Sequence, residues 1–322
     1  MEEKMCMGTI PGLAQPVSRL FFGTAAPPIM TDEATASDLL DSVLAAGINA
    51  FDCARSYGRA ENALGRWMET RGCRDRVIVL SKCGDIREGK VKVNRQVIAD
   101  QLQQSLDALR TDRIDIFLLH RDDPNTSVEE FIDALNEARD AGKITVFGVS
   151  NWTLPRIQAA NAYAEAHGLA GLSVSSPNYG LARQMQDLWG GGCVTISGPE
   201  HQKAREWYMK SGMPVIAYSS LGRGFFSGRF RAGDMDGARR VLDAFAQKGY
   251  LYPENMLRLR RAEELAEREG ITVPEIAMRY VFGSGMNLFA VVSTGSPERL
   301  KMNIRAAAHP LSEEDIAYLE AE

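Results

Sequence analysis

Short runs of Val, Ile, Leu and Phe alternate with longer amphipathic segments about eight times along the chain, and this rhythm limits the fold more than any other feature. The apolar runs span 20–25, 50–54, 77–82, 114–120, 145–150, 173–178, 214–220 and 288–293. Each is short, and most are rich in Val, Ile, Leu or Phe, as strands buried on both faces should be. The segments between them carry helix punctuation. Residues 34–46, 60–70, 127–141 and 153–167 stop at or near Gly47, Gly72, Gly142 and Gly168, and a glycine just past the last turn accepts left-handed geometry. Asn94 is an N-cap candidate for 94–109. Residues 201–210, 256–269, 274–282, 297–307 and 312–319 complete the helices. Strand–helix units repeated about eight times predict an α/β fold, a parallel sheet closed into a (β/α)8 barrel. Pro11-Gly12 predicts a small β-hairpin ahead of it. A chain of 322 residues suits one such barrel. No linker or composition break divides it, so 1–322 is expected to form a single domain.

Bulk properties exclude several classes. A net charge of −5 provides no basic face for nucleic acid. No apolar run is long enough to cross a bilayer. The first residues, MEEKMCMGTIPG, lack the apolar centre of a signal peptide, so a cytoplasmic location is expected. Five cysteines, an odd number with no C-x-x-C pair, argue against a disulfide framework or zinc knuckle and fit reduced thiols. The four histidines show no H-x-x-x-H spacing, and no metal is expected.

The informative chemistry sits at the strand ends, the edge where parallel α/β proteins gather catalytic groups. Asp52, Lys82 and His120 fall at the ends of the second, third and fourth strands, and Tyr57 follows Asp52 on a glycine-ended turn. The stretches NAFDCARSYGRAENALG, VIVLSKCG, IDIFLLHRDDP and GKITVFGVSN each resemble a motif of the aldo-keto reductases, in that family's order and over nearly the whole chain. The resemblance implies reduction of a small aldehyde or ketone, with hydride from a nicotinamide and Tyr57 as proton donor. A free phenol has a pKa of about 10, too weak an acid for easy donation near neutrality. The Lys82 ammonium is expected to lower it, Asp52 to hold Lys82 charged, and His120 to orient the carbonyl oxygen.

The same resemblance implies a cofactor site. Gly23 and Thr24 match positions near the nicotinamide ribose, where Asp52 also faces the cofactor. Ser150 and Asn151 match the pair that bonds the carboxamide, and Tyr218 the aromatic that stacks on the ring. Ser176 stands where many members have glutamine. Ser219, Leu221 and Arg223 match the segment that wraps the pyrophosphate. In VVSTGSPERLKMN, the residues Thr294, Ser296, Arg299 and Asn303 match the grip on the adenosine phosphate, and Pro297 opens a helix whose N-terminus suits an anion. Ser293 replaces the Lys or Arg that many members use for the 2′-phosphate. Arg299 keeps the expectation at NADPH, with NAD as the alternative. No G-x-G-x-x-G is present, against a Rossmann domain.

Two connections, 180–199 with its WGGG and 221–252, are long enough to be irregular binding loops. Trp152, Trp189, Phe225 and Phe226 either line a pocket or cover the core. Cys53, turned away from Asp52 by strand alternation, and Cys83 are expected to be packed apolar residues. Two other functions fit the scaffold. One is a nucleotide-sensing, channel-subunit-like binding protein with little turnover. The other is a lyase using Lys82 as a Schiff-base nucleophile, which Asp52 opposes by keeping the amine protonated. Substrate identity and oligomeric state are not encoded in these motifs.

Overall fold

A computed structural model describes residues 3–26, 29–30, 33–86 and 92–321. Met7–Gly8 (β1) and Val17–Ser18 (β2) form the antiparallel N-terminal hairpin around Pro11-Gly12. Eight parallel strands then close into a barrel: β3 (Leu20–Gly23), β4 (Ala50–Asp52), β5 (Ile78–Cys83), β6 (Ile114–Leu119), β7 (Ile144–Ser150), β8 (Val174–Ser176), β9 (Val215–Ala217) and β10 (Leu288–Val292). They pair in chain order, and β10 closes on β3. The (β/α)8 barrel expected from the alternation is therefore the fold. Every strand falls within a residue or three of its apolar run.

The helices begin where the caps predict. The Asn94 side chain accepts from the Val97 amide ahead of Arg95–Leu109, and Ser127 accepts from the Glu130 amide ahead of Val128–Asp140. Gly72, Gly212 and Gly270 end their helices in left-handed geometry.

Apolar side chains form two layers, as strand alternation requires. Outward residues such as Phe22, Phe51, Val79, Phe117 and Phe147 pack beneath the helices. Inward residues fill the barrel: Phe21, Ala50, Ile78 and Leu80, Ile116 and Leu118, Val146, Val174, Ile216 and Phe289. Ile10 and Val17 of the hairpin join this inner cluster, so the hairpin plugs the N-terminal end. The barrel is a packed core open to function only at its C-terminal end.

The connection 221–252 departs from the expected loop. It contains two short helices, Met235–Val241 and Ala244–Tyr250, capped by the Asp234 and Asp243 side chains. Phe225 and Phe226 within it are fully buried core residues, not pocket lining. Trp152 is likewise buried, against Phe131.

Gly65 lies inside the helix Ala60–Arg71, where a side chain would meet the next helix. A Cβ there would stand 2.5 Å from the Ala108 carbonyl oxygen and 2.7 Å from the Leu109 Cα. Gly65→Ala should therefore lower unfolding stability by about 1–3 kcal/mol in urea titration, although alanine is the better helix former by about 1 kcal/mol. Unchanged or increased stability would show that the two backbones separate freely.

Candidate active site

The alternation that fills the barrel also builds its mouth. In phase with the inward apolar positions, at the C-terminal end of each strand, lie Gly23, Asp52, Lys82, His120, Ser150 (beyond Val146 and Gly148), Ser176, Tyr218 and, beyond Val291, Ser293. All eight line one groove of about 790 Å³. Asn151, Ser219, Leu221, Arg223, Thr294, Arg299 and Asn303 line it as well, with Tyr57 from the turn after β4. Thr24 and Ser296 do not. Thr24 is one residue out of phase with Gly23, and its hydroxyl donates to the Asp52 carbonyl at 2.9 Å behind the wall. Ser296 caps the helix Pro297–Ala308, accepting from the Arg299 amide.

Lys82 is the hub. Its ammonium, on a side chain 4% exposed, lies 2.5 Å from Asp52 Oδ1, 2.9 Å from the Cys53 carbonyl and 3.3 Å from the Tyr57 hydroxyl. An ammonium has three N–H donors and no acceptor, so all three are engaged. The Tyr57 oxygen must accept from Lys82, which leaves the phenolic O–H free to point elsewhere. Burial is the largest single influence on Lys82 and lowers its pKa, but Asp52 and Tyr57 together outweigh it and the net shift is upward, so the amine stays charged. Burial pushes the Asp52 carboxyl up against the pull of Lys82.

The expectation for Tyr57 is overturned here. Lys82 does pull the phenol pKa down, but loss of solvent raises it more, with Asp52 adding to the rise. The net shift is upward, and Tyr57 holds its proton across the neutral range. Composition and spacing carry no information on desolvation, which depends on the closed barrel.

His120 stands edge-on to Tyr57 with ring centroids 5.8 Å apart. Its Nδ1 lies 3.4 Å from the Ser56 hydroxyl and 3.8 Å from Asp85 Oδ2. Asn151 has a left-handed backbone, φ 60°, and a side-chain amide bonded at both ends. The amide NH2 donates to the His120 carbonyl and the Ser150 hydroxyl, both at 3.1 Å. Its oxygen accepts from the Tyr218 hydroxyl at 2.7 Å and the Val194 amide at 3.2 Å. The Ser150 hydroxyl donates to the Ser176 carbonyl at 2.8 Å. Cys53 and Cys83 are buried with thiols pushed up to about 12 by desolvation, so both are inert packing.

Several groups in the groove await a partner. The Asn303 Oδ1, Arg223 Nε and Ser220 hydroxyl are buried without any hydrogen bond among the described residues. Arg299 and Arg229 have no carboxylate partner among the described residues, whereas Arg223 pairs with Asp243 at 2.7 Å. Arg121 and Arg229 were not singled out by motif. Arg121 follows His120 directly and bonds the Gly191 carbonyl at 2.6 Å, a role set by the 180–199 loop.

Residues 19–321 match the Aldo/keto reductase family. The chain is 30% identical over 308 residues to the aldo-keto reductase ausK of Emericella nidulans, covering 90% of this chain and 72% of that protein. It is 29% identical over 329 residues to the norsolorinic acid reductase of Aspergillus flavus, covering 97% and 75%. The crystal structure of a thermostable aldo-keto reductase with the inhibitor epalrestat superposes with a TM-score of 0.72 at 22% identity, over 98% of this chain and 99% of that one, a likeness of fold.

Removing one member of the Lys82–Asp52 pair strands the other charge in the barrel mouth. Lys82→Met should cost about 3–5 kcal/mol of stability. The double variant Lys82→Met with Asp52→Asn should recover most of that loss in the same urea titration. Equal losses for single and double variants would mean that the pair is solvated.

Proposed function

The chain belongs to the aldo/keto reductase family and is an oxidoreductase, and from that premise we propose that it reduces an aldehyde or ketone with NADPH, Tyr57 supplying the proton. The family uses nicotinamide cofactors on small carbonyl substrates. The observation that carries the reading is the Lys82 ammonium held between the Asp52 carboxylate and the Tyr57 hydroxyl, at 2.5 and 3.3 Å, on the wall of the groove.

The groove fits the cofactor. Its unpartnered buried Asn303 oxygen and Arg223 Nε offer an acceptor and a charged donor, which suits an amino-bearing base and a pyrophosphate. Arg223 and Ser219 to Leu221 would hold the pyrophosphate, Arg299 with Thr294 the adenosine phosphate, and Tyr218 the ring face. Arg299 and Arg229, without carboxylate partners among the described residues, favour a 2′-phosphate despite Ser293. When bound, the dihydronicotinamide supplies the hydride.

The protein's own task is the proton and the oxygen. Tyr57 rests neutral, the form a donor must have, with its O–H left free because Lys82 occupies its acceptor side. As the proton leaves, negative charge grows on the phenolic oxygen 3.3 Å from an ammonium. Lys82 therefore stabilises the transition state more than the resting state, which is what raises a rate. His120, beside Tyr57, orients the carbonyl oxygen. Lys82, charged and with every N–H engaged, is a poor amine nucleophile, against the Schiff-base alternative.

Tyr57→Phe should lower kcat for 4-nitrobenzaldehyde reduction at least about 100-fold, while NADPH affinity measured by fluorescence stays the same. A mutant that retains most of the activity would remove Tyr57 from the chemistry. The raised Tyr57 pKa also fixes a pH sign: the donor form persists as pH rises until the shifted value is passed. The reduction rate attributable to Tyr57 should be flat from about pH 7 to 9 and fall only above the ordinary phenol value of about 10. A midpoint near 8 would mean that Lys82 outweighs burial. Arg299→Ala should weaken NADPH about tenfold and NADH much less, by paired fluorescence titration. Equal losses for both would take the 2′-phosphate away from Arg299.

A further inference from the structure

A second cavity, of about 800 Å³, opens beside the cofactor groove and shares Lys82, Ser56 and Trp189 with it. A molecule in it lies next to the reacting groups. Its lining includes side chains from three separate elements: Arg55 in the turn after β4, Gln101 on the helix Arg95–Leu109, and Lys248 on the helix Ala244–Tyr250.

Each of the three presents a donor. Arg55 Nη1 is fixed 2.5 Å from Glu61, a carboxylate only 2% exposed whose other oxygen accepts from the Ser81 hydroxyl at 2.7 Å. That bond uses one edge of the guanidinium. The rest, on a side chain 31% exposed, makes no other hydrogen bond among the described residues, so the fork is oriented in advance and still open. Gln101 Oε1 accepts the Gly84 N–H at 2.9 Å. Its oxygen is thereby committed, and its NH2 is the end that remains to donate. The Lys248 ammonium has no carboxylate within 4 Å among the described residues.

The lining also holds the Ser56 hydroxyl and the Gln104 amide, which can donate or accept. One acid lines the cavity among the described residues: Asp85, whose charge the Arg121 guanidinium offsets with its Nε at 3.5 Å, and which lies 3.8 Å from His120 Nδ1. A polyol's hydroxyls could accept from these donors but bring no charge to meet Arg55 and Lys248. A carboxylate brings only acceptors, and bonds Arg in a matching fork.

We infer that the physiological substrate carries a carboxylate as well as its carbonyl, the carboxylate seated between Arg55 and Lys248. The inference rests on the reductase reading and specifies its substrate class.

The test compares two aldehydes of the same shape, 4-carboxybenzaldehyde and its methyl ester, with NADPH in excess. The acid should show a kcat/KM at least about tenfold above the ester, carried mainly by KM. The acid-to-ester ratio should fall about tenfold in Lys248→Gln and again in the double variant Arg55→Gln with Glu61→Gln, which avoids stranding a buried carboxylate. A wild-type ratio of one or less, or a ratio unmoved by Lys248→Gln, overturns the substrate class and leaves the reductase reading standing. Calorimetric titration of terephthalate into the NADPH-treated protein separates the two further. Binding lost in Lys248→Gln upholds the carboxylate site even if neither aldehyde turns over, which would sink the reductase reading alone. No binding to the wild-type protein overturns the site.

Discussion

The ion pair of Lys82 and Asp52 is the interaction on which the rest of the mouth depends. Two charges on side chains 4% and 6% exposed stay in a protein only if each satisfies the other. That demand fixes neighbouring strands against each other: with Asp52 opposite Leu80, Lys82 reaches across to the β4 carboxylate from one step further along β5. It also fixes the turn that follows. The Cys53 carbonyl takes the second ammonium proton and the Tyr57 hydroxyl the third. The Tyr57 amide bonds back to the Ala54 carbonyl at 3.0 Å, and Gly58 closes the turn at φ 57°. The helix Ala60–Arg71 then begins, with Gly65 against the backbone of the next helix.

Much of this was legible because one rule, alternation of side chains along a strand, serves both core and site. Phe21, Ala50, Leu80, Leu118 and Ile216 face inward and are apolar; two residues on, Gly23, Asp52, Lys82, His120 and Tyr218 face inward and are mostly polar. A polar residue in phase with a buried run is visible in the sequence. Thr24 shows the limit. Family resemblance joined it to Gly23, but its hydroxyl is turned to the Asp52 carbonyl, and Thr24 braces that carbonyl instead of lining the groove. The helices in 221–252 were missed because each is only seven residues long, too short for a periodic pattern to rise above Gly and Arg. The Tyr57 shift was missed for a different reason. Ammonium proximity follows from motif order, but desolvation follows from the closed barrel, and here desolvation is the larger effect.

Between the cofactor groove and the second cavity stands Trp189, which bounds both. Its position rests on polar bonds in a glycine-rich loop. Asp187 accepts from the Trp189 amide at 2.8 Å and the Cys193 amide at 2.6 Å, and Arg121 holds the Gly191 carbonyl. The Arg223 guanidinium lies 5.6 Å from the ring centres of both Trp189 and Phe245, and pairs with Asp243 at the cap of the helix that carries Lys248. One arginine thus ties the cofactor side of the mouth to the Trp189 partition and to the helix behind the second cavity. The strands supply Asp52, Lys82 and His120, whereas the Trp189 partition and the helix bearing Lys248 come from connections free to vary in length and sequence. The groove wall is set by strand phase, and the boundary between the two cavities by a loop and a short helix joined through Arg223.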